Sequence, residues 1–247
     1  MKNEKNRFYF SFLPPLALVL LMATLKTVEH FTGISLANLG IYPMHTKGLL
    51  GILTAPFIHE NFDHLFSNII PLFFMGGLLF YFYRPIAWKT LLLIWVFGGL
   101  LVWLGGRESW HIGASGVVYG LATFHLLGGI LRKEPKMMAI SLLVIFLYGS
   151  MIWGIFPEFF PGKNISWEAH LGGLLTGLIT AIYYRKEGPQ KTVYSWQDDD
   201  KLSGEFAWPP DLLEEQPNEE SEADKAHKMM IKYIYRKRDQ ETDEKQS

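Results

Sequence analysis

Six uncharged apolar runs constrain the fold of this chain more than any other feature of its sequence. They cover residues 8–25, 65–83, 90–106, 109–131, 137–156 and 169–184. A helix of ~20 apolar residues crosses a ~30 Å hydrocarbon layer, and helices satisfy their own backbone hydrogen bonds inside lipid. The short alternating segments of a membrane β-barrel are not seen in these runs. The sequence therefore predicts an all-α membrane protein with six transmembrane helices.

The composition divides the chain into two unlike parts. Residues 1–189 contain the apolar runs and carry a net charge of +5, whereas residues 190–247 carry −6, giving the total of −1. Three prolines interrupt any long helix in the second part, at Pro209, Pro210 and Pro217. We predict a six-helix membrane domain over residues 1–189. Residues 190–247 are predicted to form a charged, mostly disordered cytoplasmic tail whose partner is unknown.

Two missing features narrow the possible chemistry. The chain has no cysteine, which excludes disulfides, thiolate metal sites and cysteine nucleophiles. The small basic cluster at residues 236–238 does not indicate nucleic-acid binding. We therefore expect the lipid bilayer as a partner and no nucleic acid.

The basic residues between the runs predict how the chain crosses the membrane. Short loops on one side carry most of them, namely Lys2, Lys5, Arg7, Arg84, Lys89, Arg132, Lys133, Lys136, Arg185 and Lys186. Lysine and arginine accumulate in cytoplasmic loops. Both termini are therefore predicted to be cytoplasmic, and the first loop (residues 26–63) is predicted to face outward. We expect an integral protein of a bacterial inner (plasma) membrane.

Three polar side chains on different runs lie at the same predicted depth. Counting from the arginine at the cytoplasmic end of each run, Ser115, His170 and Asn68 lie 17, 15 and 16 residues away. These spacings correspond to about 23–25 Å of helix. Polar groups at such depth tend to face the protein interior or a wet cavity. The shared level predicts one site beneath the outer surface.

The residues around Ser115 suit nucleophilic catalysis. Serine becomes a strong nucleophile when a base removes its proton, and histidine is well suited to that task. Gly113 and Gly116 allow a tight turn beside Ser115, which places the serine at a helix N-terminus where backbone N–H groups can stabilise an oxyanion. Tyr119 lies one turn further along the same face.

Small residues predict which helices meet. His170, Gly173 and Gly177 are spaced by three and four on the sixth run, and such small-residue stripes allow close helix packing in membranes. The fourth run offers a matching pair, Gly116 and Gly120. Packing of these two stripes would bring His170 to Ser115.

These residues together resemble one known family. The sequence Gly113-Ala114-Ser115-Gly116 with Tyr119 is similar to the motif of the rhomboid intramembrane serine proteases. Ala169-His170 followed by two glycines resembles the last core helix of that family, and His59, His64 and Asn68 resemble the pattern that opens its second helix. The resemblance covers about residues 8–186 and implies a six-helix rhomboid-type bundle.

The resemblance also implies a role for each site residue. It implies a Ser115–His170 catalytic dyad without an aspartate, metal or cofactor, and an oxyanion held by the Ser115 N–H and the side chains of His64 and Asn68. Tyr119 would pack on the His170 ring, and His59 would support the first loop or the entry of water. The implied substrates are membrane-anchored proteins, cut near the outer end of a transmembrane helix.

Other features of the site are interpreted as structural. His111 and His125 are assigned no catalytic role, and Glu168, two positions before His170, is expected to point away from it. The family often has a Trp-Arg pair in the first loop, and this chain lacks such a pair between Lys26 and His64. Its first loop reads Gly40-Ile41-Tyr42-Pro43 followed by residues 49–57.

Three alternative functions remain open from the sequence. A metalloenzyme would bind zinc through His59, His64 and His170, although the spacing of five between the first two places them on different faces of a helix. A rhomboid-like pseudoprotease would bind membrane clients without cutting them, which the intact Ser115 and His170 disfavour. A transporter is disfavoured because neither inverted repeats nor buried acidic residues are evident.

Overall fold

The computed structural model describes residues 2–149, 154–156 and 166–190. Within these ranges the chain is helical, and its only β-type pairing is an isolated antiparallel bridge between Ile41 and His111. The predicted tail lies almost wholly outside the described residues, so its disorder stays a prediction.

Seven α-helices make up the described part of the chain. They are α1 (Lys2–Thr32), α2 (Gly51–Thr54), α3 (Phe62–Phe82), α4 (Ala87–Gly105), α5 (Ser115–Arg132), α6 (Pro135–Tyr148) and α7 (Trp167–Tyr183). The short α2 lies in the first loop together with three 3₁₀ turns, Ala37–Leu39, Thr46–Gly48 and Ala55–Phe57. The other six helices correspond in order to the six apolar runs.

The helix boundaries depart from the runs where other contacts compete with helical hydrogen bonds. Helix α5 begins at Ser115, whereas its run begins at residue 109. His111 exchanges backbone hydrogen bonds with Ile41, and Gly113 has a φ of +104°, so neither residue can belong to the helix. Helix α6 ends at Tyr148, and residues 150–153 of its run lie outside the described ranges.

Three of the described helices are long and apolar enough to cross a membrane. They are α1 over Glu4–Thr32, α3 and α4. Helices α6 and α7 are shorter, with 14 and 17 residues. The prediction of an all-helical membrane protein is confirmed at this level, and the count of six spans stays a prediction.

Helix α5 is the centre of the bundle. It packs against α3, α4, α6 and α7, while α1 packs along α3. The contact between α1 and α3 is close, because a Cβ at Gly77 would overlap the ring of Phe12. Buried apolar side chains of α3, α4 and α5 form one continuous core around Met75, Ile94 and Leu121.

A buried arginine joins three helices at the C-terminal end of α5. Arg132 is only 4% exposed, and its guanidinium donates to the carbonyls of Gly128 at 3.2 Å, Tyr184 at 2.6 Å and Glu187 at 3.0 Å. It also lies over the Tyr83 ring, 4.9 Å from its centroid. The residue that the sequence suggested as a solvated cytoplasmic charge therefore fastens the end of α7 to α3 and α5.

Candidate active site

The first loop holds the segment that leads into Ser115. The Gly113 N–H donates to the Ala55 carbonyl at 2.9 Å, and the His111 N–H donates to the Ile41 carbonyl at 2.8 Å. Helix α5 then starts at Ser115 itself, which is half-buried. The first backbone N–H groups of a helix have no intrahelical acceptor. Ser115 thus lies at the start of a helix, beside backbone N–H groups that have no intrahelical acceptor.

The His64 ring lies directly against this segment. A Cβ built on Gly113 would come within 2.7 Å of both Cε1 and Nε2 of His64. Any side chain at Gly113 would therefore displace the His64 ring, and the φ of +104° also favours glycine there. The structure thus places His64 next to the residue two positions before Ser115.

His170 is buried and held on two sides. It is 8% exposed, and its Nδ1 lies 2.7 Å from the Gly154 carbonyl oxygen. Because a carbonyl only accepts, Nδ1 must carry the proton, which leaves Nε2 of a neutral ring as an acceptor. The Tyr119 ring stacks on the imidazole with centroids 4.1 Å apart and planes 7° from parallel.

Helices α5 and α7 meet backbone to backbone. A Cβ on Gly173 would overlap the Gly116 carbonyl oxygen, and a Cβ on Gly177 would overlap the Gly120 carbonyl oxygen. A Cβ on Gly116 would lie 2.9 Å from the Ala169 oxygen. The residue after Ser115 therefore touches the residue before His170, as the small-residue stripes predicted.

The start of α3 carries the other two predicted polar residues. Asn61 caps this helix by accepting from the His64 N–H at 2.8 Å. One turn later, the Asn68 side chain is 3% exposed, and its Nδ2 donates to the His64 carbonyl at 2.7 Å. An amide nitrogen has two hydrogens, so Asn68 keeps a second donor after this bond.

His59 supports His64 from the first loop. Its ring is 1% exposed and meets the His64 ring edge to face, with centroids 5.1 Å apart. Burial lowers the pKa of the His59 imidazole to about 4, and the neighbouring His64 adds to this shift. His59 is therefore uncharged at neutral pH.

Several residues of the site escaped sequence reasoning. His170 is bonded by the Gly154 carbonyl, and since every residue has a carbonyl, the sequence cannot single this one out. The structure does explain the glycine at this position, because a Cβ there would overlap the Tyr119 hydroxyl. His111 and Glu168, for which the sequence predicted no catalytic role, meet in a buried polar cluster. His125 is structural in the sense predicted, since its Nε2 bonds to the Met75 carbonyl at 2.9 Å.

Histidines and acidic residues do not gather into a metal site in the described part of the chain. No three His, Cys, Asp or Glu side chains there are placed to hold an ion. His59, His64 and His170 consequently offer no ligand set for the zinc alternative.

Comparison with known proteins identifies the family. The Rhomboid domain model matches residues 46–187, which is more than half of the chain and includes every site residue described above. The chain belongs to the rhomboid family, whose members are intramembrane serine proteases.

Its relatives come from bacteria and plants. An uncharacterized protein of Mycobacterium tuberculosis is 33% identical over 183 residues, covering 71% of this chain and 75% of the relative. The RHOMBOID-like protein 4 of Arabidopsis thaliana is 30% identical over 137 residues, covering 52% and 32%. The chloroplastic Rhomboid-like protein 11 of the same plant is 28% identical over 138 residues, covering 51% and 49%.

Proposed function

We propose that this protein is an intramembrane serine endopeptidase with a Ser115–His170 dyad. Its substrates are membrane-anchored proteins, cut at a peptide bond near the outer end of a transmembrane segment. The observation that carries the proposal is the stacking of Tyr119 on His170, because Tyr119 lies one turn after Ser115 on the same face of α5. Contact between Gly116 and Ala169 supports the same juxtaposition.

The proposed reaction uses His170 first as a base and then as an acid. Nε2 takes the Ser115 proton as the hydroxyl attacks the scissile carbonyl, and the same proton passes to the amine as the C–N bond breaks. Water then attacks the acyl-enzyme and gives a proton to Nε2. Nε2 passes that proton to the Ser115 oxygen as the bond between this oxygen and the acyl group breaks. The Gly154 carbonyl accepts a hydrogen bond from Nδ1 throughout. It therefore fixes the orientation of the His170 ring, as an aspartate does in other serine hydrolases.

The proposed oxyanion site lies between the starts of α3 and α5. The Ser115 N–H, the His64 ring and the free hydrogen of the Asn68 amide would stabilise the negative oxygen of the tetrahedral intermediate. Contact of His64 with Gly113 supports this assignment. Tyr119 would orient the base, and His59 would hold His64 in place.

The membrane arrangement completes the proposal. Six helices span the bilayer, and both termini and the 190–247 tail lie in the cytoplasm. The asymmetric distribution of lysine and arginine supports this orientation. The site would then open toward the outer side, below the membrane surface.

The test is the cleavage of a labelled single-span protein by purified enzyme in detergent. Ser115→Ala and His170→Ala are each expected to lower kcat by about 10³-fold or more, because neither variant can form or activate the nucleophile. Ser11→Ala and His30→Ala are matched controls on α1 and should cleave at the wild-type rate. Continued cutting by either site variant would contradict the dyad. A wild-type protein that binds the substrate and leaves it whole would instead support the pseudoprotease.

A further inference from the structure

A buried carboxylate with polar and charged partners lies at the N-terminal end of α7, outside the groups used in the proposed reaction. Glu168 is 7% exposed. Its Oε1 lies 3.4 Å from Arg107 Nε, and its Oε2 lies 3.9 Å from His111 Nδ1. A carboxylate is costly to bury unless charged or hydrogen-bonding groups compensate it. These partners therefore constrain where the first turn of α7 can lie.

His111 lies beside this carboxylate and bonds to the cap of α7. Its ring is 2% exposed, with Nδ1 at 2.7 Å from Ser166 Oγ and Nε2 at 3.0 Å from the Arg107 carbonyl. Ser166 in turn accepts from the Ala169 N–H at 3.4 Å. One imidazole thus touches both the start of α7 and the loop that follows α4.

The cluster lies between the two segments that carry the residues of the proposed dyad. His111 belongs to the stretch fixed by Ile41 and Ala55 that leads within four residues to Ser115. Glu168 lies two residues before His170 in the same helical turn. The cluster therefore joins the serine-bearing segment to the histidine-bearing helix through the side chains of Glu168 and His111 and the backbone of Arg107.

The glycine contacts do not make this second connection redundant. Gly173 on Gly116 and Gly177 on Gly120 fix the distance between α5 and α7 along one seam. Helix α7 also packs against α4, but these glycine contacts are not directional. The polar bonds of Glu168 add a directional restraint at the start of α7, and a misplacement of ~1 Å in an active site costs about 10²-fold in rate.

We propose that Glu168 is a positioning residue for catalysis, acting through His111 and Ser166 to hold His170 in register with Ser115. This inference rests on the proposed protease function. Glu168 touches no reacting atom, so its loss should slow the chemical step and leave substrate binding unchanged.

The first test separates kcat from KM. Glu168→Gln keeps the shape of the side chain and removes its charge, and it should lower kcat about tenfold or more while KM stays within about twofold. Thr180→Val is a matched control in the same helix, because buried Thr180 bonds only to the carbonyls of Thr176 and Gly177. This control should keep the wild-type kcat. The thermal midpoint of Glu168→Gln should fall no further than that of Thr180→Val.

The second test needs no activity. Amide hydrogen exchange over residues 107–113 and 166–170 should quicken about tenfold in Glu168→Gln and not in Thr180→Val. A wild-type protein that neither cleaves substrate nor reacts with a serine-directed fluorophosphonate would overturn the proposed function, and exchange would still decide whether the cluster holds the two segments. Unchanged exchange in Glu168→Gln overturns the inference. Faster exchange with a wild-type kcat in an active enzyme also overturns it, because the role of Glu168 is then structural alone.

Discussion

Backbone carbonyls bond directly to two of the polar side chains of the site. His170 is held by the Gly154 carbonyl, and Asn68 is held by the His64 carbonyl. A carbonyl carries no formal charge, so neither bond requires another ion to be buried in a low-dielectric setting. The arrangement suits a site within a bilayer, because a buried aspartate would add a desolvation cost there.

The proposed oxyanion role of Asn68 gives a residue-scale prediction. Asn68→Ala should reduce kcat by an amount corresponding to about 2–4 kcal/mol, the usual effect of losing one oxyanion donor. Cleavage of the labelled single-span substrate measures it. Asn61→Ala is the matched control, because it removes the α3 cap and should lower the thermal midpoint more than it lowers kcat. An unchanged kcat in Asn68→Ala would show that Asn68 has a structural role and does not donate to the oxyanion.

At this scale the sequence was informative wherever a side chain carries the proposed chemistry. Ser115, His170, Asn68 and Tyr119 stood out because a polar or aromatic group at one depth or on one face is visible in the sequence. Gly154 did not, because its contribution is a carbonyl brought in by the fold. The pairing of Glu168 with His111 links residues 57 positions apart, and no local pattern indicates such a contact.

Close approach of α5 and α7 is the main feature at the scale of the elements. Two of the glycines at this contact have no space for a methyl group, since a Cβ on Gly173 or Gly177 would overlap the backbone of α5. In lipid, helices gain little from burying apolar surface against each other, and close backbone packing contributes much of their association. The same packing sets the separation of the two proposed catalytic residues.

A glycine substitution tests this contact. Gly173→Ala should lower stability by about 1–3 kcal/mol, the usual cost of overpacking, because its methyl group would overlap the Gly116 carbonyl. The midpoint of thermal unfolding in detergent measures the loss, and cleavage should fall with it. Gly105→Ala is the control, since a Cβ at Gly105 meets nothing within 4 Å. Equal midpoints for Gly173→Ala and wild type would show that the helices can separate freely.

The helices themselves could be predicted from the sequence, and their ends could not. Most of the apolar runs approach the ~20 residues that span a bilayer, and an apolar run inside lipid must be helical, so the order of the six helices followed directly. The start of α5 depends instead on the bridge between Ile41 and His111. These residues are far apart in the chain, and the pattern of apolar residues does not indicate that they pair.

At the scale of the whole molecule, the membrane domain contains all the residues proposed to act. The Rhomboid domain match ends at residue 187, and the acidic segment follows it. The two parts also differ in net charge, +5 over residues 1–189 and −6 over residues 190–247.

Truncation tests whether the membrane domain is sufficient. Removal of residues 190–247 should leave kcat within about twofold of wild type, because no proposed site residue is lost. A longer truncation that removes residues 184–247 is the control. It deletes the Tyr184 and Glu187 carbonyls that accept from Arg132, and it should lower the thermal midpoint. Inactivity of the shorter truncation would assign the tail a part in catalysis.

The attachment of α7 by Arg132 has a mechanical consequence. The carbonyls of Tyr184 and Glu187 are bound at one end of α7, and Glu168 is bound at the other, so both ends of the helix are attached to its neighbours. It cannot travel along its own length without breaking bonds at both ends. Under the proposed function, a substrate segment would therefore be admitted by movement of helices other than α7.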